Sequence, residues 1–324
     1  MRFLTERPWR FGLNRVPSPN TALQRTRSAP LRSPLSFGTL GGPQLRGEGL
    51  IRLTTWNMDH WRRSTELREE AWAFLAGVVR PDVALLQEAL PARTGDNVVF
   101  REGGILDERK DPPRNLGWGS AVVSYGPPVR PREFATSPFH AHPVPLLRTF
   151  PGAVAVAELT GELPLVVIST YGVIDRGYAD ATVHRMLSDL TPLIDERRGR
   201  GIVLAGDLNI TTQWSEKHRS FLRGRQEECL QRDTNLFDRF TALGLHNVVV
   251  RSERGPLEGC DCHAGVDCRH VQTQRHDRSA FPWQNDYIFV SDDLLQDVKV
   301  EVIDDDAAWR LSGHCPIVVQ IGGT

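Results

Sequence analysis

Several polar residues stand where short apolar runs of the chain end or begin, and their types suit chemistry on a phosphate. Asp59 follows the run LTTWNM, Glu88 ends VALLQE, and Asp207 and Asn209 close GIVLAGDLN. Asp286 opens DYIFV, and His314 stands just before CPIVV. Polar groups at the ends of buried strands gather on one edge of a layered fold, where a ligand site can form. Glu88 and Asp59 offer hard oxygen ligands to Mg²⁺, which takes one or two protein carboxylates and keeps its waters for the phosphate. Asp207 can hold and deprotonate a water, while the amide of Asn209 aligns that water or a phosphate oxygen. His314, kept charged and oriented by the carboxylate of Asp286, can bond a phosphate oxygen as negative charge builds up on it. A single Asp or Asn after a strand is usually a turn or a cap. The ordered set, rather than any one member, carries the reading.

The elements that must position these groups are short apolar runs bounded by Gly, Pro, Asp and Asn. Strands are expected over 50–56, 82–87, 118–125, 153–159, 165–171, 202–205, 270–274, 286–290 and 315–321. Several are almost wholly apolar, such as PLVVIST and GIVLAG, as expected of strands covered on both faces. A first helix is expected over 65–79, with Ser64 as its cap and Leu67, Ala71, Phe74 and Leu75 on one face. A second is expected from Asp180 to about Arg198, and a broken third from Ser215 to Leu243. Many strands, few helices and no strict β-α alternation imply two stacked mixed sheets flanked by helices.

The segments TTWNMD, LLQE, GWGSAVV, GDLN, NDYIFVS and SGHCPIVV resemble, in order and spacing, the signature of the endonuclease/exonuclease/phosphatase superfamily, which includes exonuclease III, the apurinic endonucleases and pancreatic deoxyribonuclease. The resemblance covers residues 50–321. It implies a four-layered α/β sandwich and metal-dependent hydrolysis of a phosphoester by in-line attack of water, with Mg²⁺ or Mn²⁺ as cofactor. It implies further that Asn57 and Glu88 lie at the metal with Asp59 nearby. Asp207 and Asn209 would then position the nucleophile, and Asp286 with His314 would form the charged pair on the phosphate. Tyr171 falls where related enzymes carry a phosphate-contacting tyrosine; packing of the site rim is the other reading of that aromatic ring. One motif departs from the family pattern, because Gly313 stands where Ser-Asp-His members have a carboxylate.

Bulk composition narrows the field. With 40% hydrophobic and 24% charged residues in 324, a sizeable core is affordable and no apolar stretch approaches the length that spans a bilayer. The net charge of −1 hides an asymmetry: residues 1–49 hold eight arginines against Glu6 and Glu48, leaving −7 on the remainder. An acidic body binds long duplex nucleic acid poorly without a cation, since that affinity comes from neutralising phosphates. Residues 1–48, with six prolines and no periodicity, are expected as a disordered basic arm ahead of a catalytic domain at 49–324. The N-terminal stretch has no signal-like apolar core, so a cytoplasmic enzyme without membrane insertion is the expectation; no motif fixes the oligomeric state, and a monomer is the default.

One stretch, about 255–276, is far richer in thiols than the rest. Cys260, Cys262, Cys268 and His270 form C-x-C-x5-C-x-H, a donor set able to close a structural zinc site; a loop of free, redox-active thiols is the alternative. Just beyond it, Arg275 and Trp283 are expected on the substrate rim, a basic and aromatic pairing that suits unpaired nucleic acid. Nucleic acid is the leading substrate class, with small-molecule or lipid phosphoesters of the same superfamily as the alternative. A rival of another class is a catalytically weak binding module carrying the zinc insertion.

Overall fold

The protein is described here from a computed structural model covering residues 50–322, apart from 91–96, 103–105, 108–113, 116, 137–140, 162, 176, 197–199, 253–256, 277–278 and 297. The expected arm at 1–48 lies outside the described residues. In chain order the strands of the two large sheets begin with β1 (Leu50–Asn57), β2 (Val83–Ala89), β3 (Val98–Glu102) and β4 (Gly119–Ser124). Then come β5 (Val129–Pro131), β6 (Val154–Leu159), β7 (Leu165–Tyr171) and β8 (Gly201–Asp207). The last are β9 (Leu245–Asn247), β10 (Asp286–Ser291), β11 (Val298–Val302) and β12 (Ile317–Gly322). One sheet has the order β11-β12-β1-β2-β4-β3 and the other β9-β10-β8-β7-β6-β5. Both are mixed: β1 runs parallel to β2 and β7 to β8, while the other neighbours are antiparallel.

The fully apolar runs are explained by burial on two faces. Along β8, Val203 and Ala205 enter the core shared by the two sheets, with Leu53, Leu85 and Ile317 from the first. Their neighbours Ile202 and Leu204 enter a second core, where they meet helices α2 (Asp180–Glu196) and α3 (Gln226–Ala242) through Val183, Leu187, Leu236 and Phe240. Each fully buried aliphatic side chain contributes about 1.5–3 kcal/mol, so a strand that alternates between two cores has no position for a polar residue until it ends. That is where Asp207 stands.

Helix α1 (Thr65–Phe74) starts at Ser64, whose hydroxyl accepts from Leu67 N, and buries Ala71 and Phe74. The expected helix to Val79 is completed by a wider π-helical turn, Leu75–Val79, which closes at the left-handed Arg80 just ahead of Pro81. A short α4 (Asp306–Leu311) is capped by Asp305, whose carboxylate accepts from Ala308 N at 2.7 Å.

The expected strand at 270–274 is corrected: a strand begins only at Gln274, in a ribbon of Gln274–His276 with Ser279–Trp283. The backbone before it is engaged piecemeal. Val271 N donates to the Gln284 side chain, Thr273 N to Trp283 O, and Thr273 O accepts from Cys315 N. Among the described residues no helix is long and apolar enough to cross a membrane.

Candidate active site

The strand ends converge as the alternation of polar and apolar residues requires. In register, Tyr171 lies beside Asp207 and Asp207 beside Asp286, so three chemical side chains span three adjacent strands of the second sheet. Across the interface, Asn57 ends β1 and Glu88 sits near the end of β2. The sheets are pinned together at this edge by Gln87, which is fully buried and donates to Ser169 Oγ at 2.9 Å; Ser169 Oγ donates in turn to Leu86 O at 2.8 Å. The loop carrying His314 is tied to β1 from both sides, since Trp56 Nε1 donates to His314 O and Ser312 Oγ to Asn57 O.

The local backbone is unusual at this edge. Asp59, Glu88 and Asn209 all have positive φ, at 49°, 47° and 51°. Such left-handed backbone costs a non-glycine residue of order 1 kcal/mol and persists where the surroundings impose it, as at functional sites. At Glu88 it coincides with a register shift between Leu86 and Ala89 that turns the carboxylate out of the strand's alternation. Gly206, the first residue of GDLN, is required by close approach, because a Cβ there would lie 1.7 Å from Thr170 O.

A hydrogen-bonded chain crosses the site. Asn57 Nδ2 donates to Glu88 Oε1 at 3.2 Å and to Asp207 Oδ2 at 2.9 Å, while Asn57 Oδ1 accepts from Asp59 N at 3.0 Å. Asp207 Oδ2 lies 3.8 Å from His314 Nε2, and His314 Nδ1 is 2.8 Å from Asp286 Oδ2. Trp61 Nε1 donates to Glu88, and Arg63 pairs with Asp59 at 2.9 Å. Asn209 ties two loops, with its side chain donating to Gly172 O and its backbone N–H to Asp207 Oδ1, both at 2.9 Å. Burial pushes the Asp207 carboxyl up to about 7, opposed by His314 and Asn57 and reinforced by Asp286 and Glu88. Burial, then Glu88, also raises Asp59 against the pull of Arg63 and Arg62. His314 moves the other way from what burial alone would do: Asp286 and Asp207 hold its imidazolium to about 9. Desolvation beside Glu88 and Asp207 keeps the Tyr171 hydroxyl protonated well above its usual range, and it lies in hydrogen-bonding reach of Glu88 and Asn209.

The donor set fits a divalent cation. Asp59, Glu88, Asp207 and Asp286 are all buried, and burial presses two of them toward the neutral form. Asp286 Oδ1 is buried without a hydrogen-bond partner among the described residues. An amide N–H₂ held between the carboxylates of Glu88 and Asp207 marks a place where positive charge is favoured, and all the oxygens are hard.

A groove of about 970 Å³ begins at Asn209, Gln274 and Asn285 and runs along Trp214, Phe281 and Trp283. Trp283, expected on the substrate rim, lines this groove. Arg275 does not line this groove; its guanidinium stacks over Trp309 and lies 3.6 Å from Asp304. Gln274 is a site residue that the sequence reading missed. Its amide lies 3.2 Å from His314 Nε2, and because an imidazolium only donates, the oxygen of Gln274 belongs on that side. Asn285 then turns to donate to Ile210 O and Gln284 O, completing the relay. Only the isolated bridge between Gln274 and His314 places this side chain, and no local pattern announces it.

Two packed mixed sheets with buried carboxylates, an amide and a charged histidine at their strand ends define a class: hydrolases of phosphoester bonds that work with a divalent metal. The chain belongs to the Endonuclease/Exonuclease/phosphatase family, whose model matches residues 54–309. Solved structures share its fold. The AP endonuclease LMAP from Leishmania major has a TM-score of 0.54 at 16% identity, covering 85% of this chain and 89% of that one. The endonuclease domain of TRAS1, a telomere-specific non-LTR retrotransposon, has a TM-score of 0.52 at 14% identity, covering 84% and 98%. Truncated TDP2 from Caenorhabditis elegans has a TM-score of 0.51 at 15% identity, covering 85% and 98%. No curated protein sequence matches the chain.

Proposed function

We propose that the protein is a Mg²⁺- or Mn²⁺-dependent phosphodiesterase acting on nucleic acid. The observation that carries this reading is the buried line Glu88–Asn57–Asp207–His314–Asp286, whose bonded neighbours Asn209 and Gln274 line an aromatic-walled groove. Aromatic walls beside a phosphate site suit unstacked bases, which bind by their faces at about 1–3 kcal/mol each. Glu88, with Asn57 and Asp59 nearby, would hold the cation, which when bound supplies charge neutralisation of the phosphate. Asp207 accepts the proton of the attacking water, and its raised proton affinity suits a general base near neutral pH. The backbone tie through Asn209 fixes the carboxylate in place. His314, kept protonated by Asp286, turns its Nε2–H from Gln274 to a non-bridging phosphoryl oxygen as charge accumulates there. Tyr171 remains a neutral donor at the same edge.

The reading is tested with purified protein, Mg²⁺ and Mn²⁺, against abasic-site duplex, single-stranded DNA, RNA, inositol phosphates and sphingomyelin. Turnover of a nucleic acid is expected, with Asp207→Asn and His314→Ala each lowering it roughly 100-fold or more while the fold survives. Preference for an inositol phosphate or a lipid would overturn the substrate class. Near-wild-type turnover in both variants would overturn the mechanism.

A further inference from the structure

The segment 257–270 holds a cluster that the hydrolytic site does not use. The ligand atoms of Cys260, Cys262, Cys268 and His270 all lie within 4.8 Å of one another. His270 Nδ1 is 3.4 Å from Cys268 Sγ and 3.6 Å from Cys260 Sγ. In a tetrahedral site with Zn–S near 2.3 Å and Zn–N near 2.05 Å, the sulfur–nitrogen edge is about 3.5 Å. These two sulfur–nitrogen spacings thus already match a zinc shell, and the three cysteines are free thiols.

Burial supports the same conclusion by a different route. Cys262 and Cys268 are 7% and 1% exposed, yet neither belongs to either hydrophobic core of the described residues. The loop around them is polar, and Val266 points outward at 87% exposed. The thiols are therefore buried against each other rather than in an apolar interior. A small polar loop cannot offset its ordering entropy by such contacts, whereas metal ligation supplies folding free energy directly. The surroundings also orient the donors: Thr212 Oγ1 holds His270 Nε2 at 2.8 Å, and Gln213 Nε2 reaches Cys260 Sγ at 3.6 Å. A hydrogen bond on the second ring nitrogen, leaving the first for the metal, is the usual support of a ligating histidine.

We infer that Cys260, Cys262, Cys268 and His270 bind one structural Zn²⁺ and that this site braces the hydrolytic centre. Binding releases the three thiol protons and leaves a closed S₃N shell with no position for substrate. The brace is short. Gln213 also donates to Pro282 O at 2.8 Å and accepts from Gln284 N at 2.6 Å. Gln284 Oε1 accepts from Val271 N, directly after the ligand His270. Two residues on, Thr273 Oγ1 accepts from the backbone of Asn285 and Asp286, each at 3.1 Å, and Gln274 meets His314. The zinc loop thus sets where Gln274 and the Asp286–His314 pair stand.

The test uses the full chain purified from zinc-replete medium. Elemental analysis is expected to find one zinc per chain, and zinc-edge absorption a shell of three sulfurs and one nitrogen. Cys262→Ser and Cys268→Ser should lose the metal, whereas Cys229→Ser and Glu88→Gln should keep it; the last variant separates this site from the hydrolytic one. Because the serine variants can fail to fold, zinc is also stripped from the folded wild type with a chelator. The stripped protein should expose three further reactive thiols, and re-added Zn²⁺ should protect them again. A zinc-free protein with all thiols titratable, a disulfide among these cysteines, or zinc without sulfur neighbours would each overturn the inference. These readouts need no turnover, so they stand or fall apart from the substrate assignment.

Discussion

Asp286 hydrogen-bonds His314 directly, which makes Asp286→Asn a sharp perturbation. The imidazolium is held at about 9 against an ordinary 6.5, with Asp286, 2.8 Å from Nδ1, the largest favourable influence and burial the opposing one. That difference corresponds to about 3 kcal/mol of preference for the charged form. An isosteric amide keeps the acceptor oxygen and the volume but removes that charge, leaving Asp207 and Glu88 to oppose burial without the strongest of the three. At pH 7.5 a group with a pKa of about 9 is ~97% protonated, whereas one at or below its ordinary value is ~10% protonated or less. Losing the charge that meets the developing phosphoryl charge adds to this, so turnover at pH 7.5 should fall about 10²–10³-fold. The alkaline limb of the pH–rate profile, set in the wild type by loss of the His314 proton, should move down from near 9. NMR titration of His314 in metal-free protein reads the same change without turnover. An alkaline limb left in place, or a His314 that still titrates near 9 in Asp286→Asn, would refute the assignment of this pair.

Other consequences are checked more briefly. His314 has a folded-state pKa above its unfolded value, so its contribution to stability is full below about 6.5 and is lost as pH rises through about 9. The melting temperature of metal-free protein should therefore fall between pH 7 and 9, and His314→Gln should flatten that slope in calorimetry. Gly313 has room for a side chain, since a Cβ there meets only Arg275 O at 3.4 Å. Gly313→Asp should tighten Mg²⁺ binding severalfold by adding a hard acceptor beside His314, as read by calorimetric titration; an unchanged affinity would mean that the site has no use for that carboxylate. Deleting residues 1–47, proline-rich and without periodicity, should leave the melting temperature and turnover of a short substrate nearly unchanged.

The candidate site residues were legible in the sequence because a strand buried on two faces tolerates polar side chains only at its end. Asn57, Glu88, Tyr171, Asp207 and Asp286 all announce themselves where an apolar run stops or starts, and their strands lie next to one another as two-sheet packing requires. The Ser64 cap and the break in the third helix were readable for the same reason, since both depend on a few consecutive residues. Edge strands such as Val129–Pro131 and Val298–Val302 were not, because they are short and half-exposed. Gln274 and Arg275 show the limit most clearly. They are adjacent in the chain, both polar and both on the same ribbon, yet Gln274 meets His314 while Arg275 lies over Trp309. Which of the two faces the site follows from the pairing of this ribbon against the loop of Gly313, with Arg275 N donating to Gly313 O at 2.8 Å. A one-residue slip of that register would exchange their roles. Residue type and local spacing determine which groups can do chemistry, but register is set by contacts between segments far apart in the chain, and only the folded structure contains them.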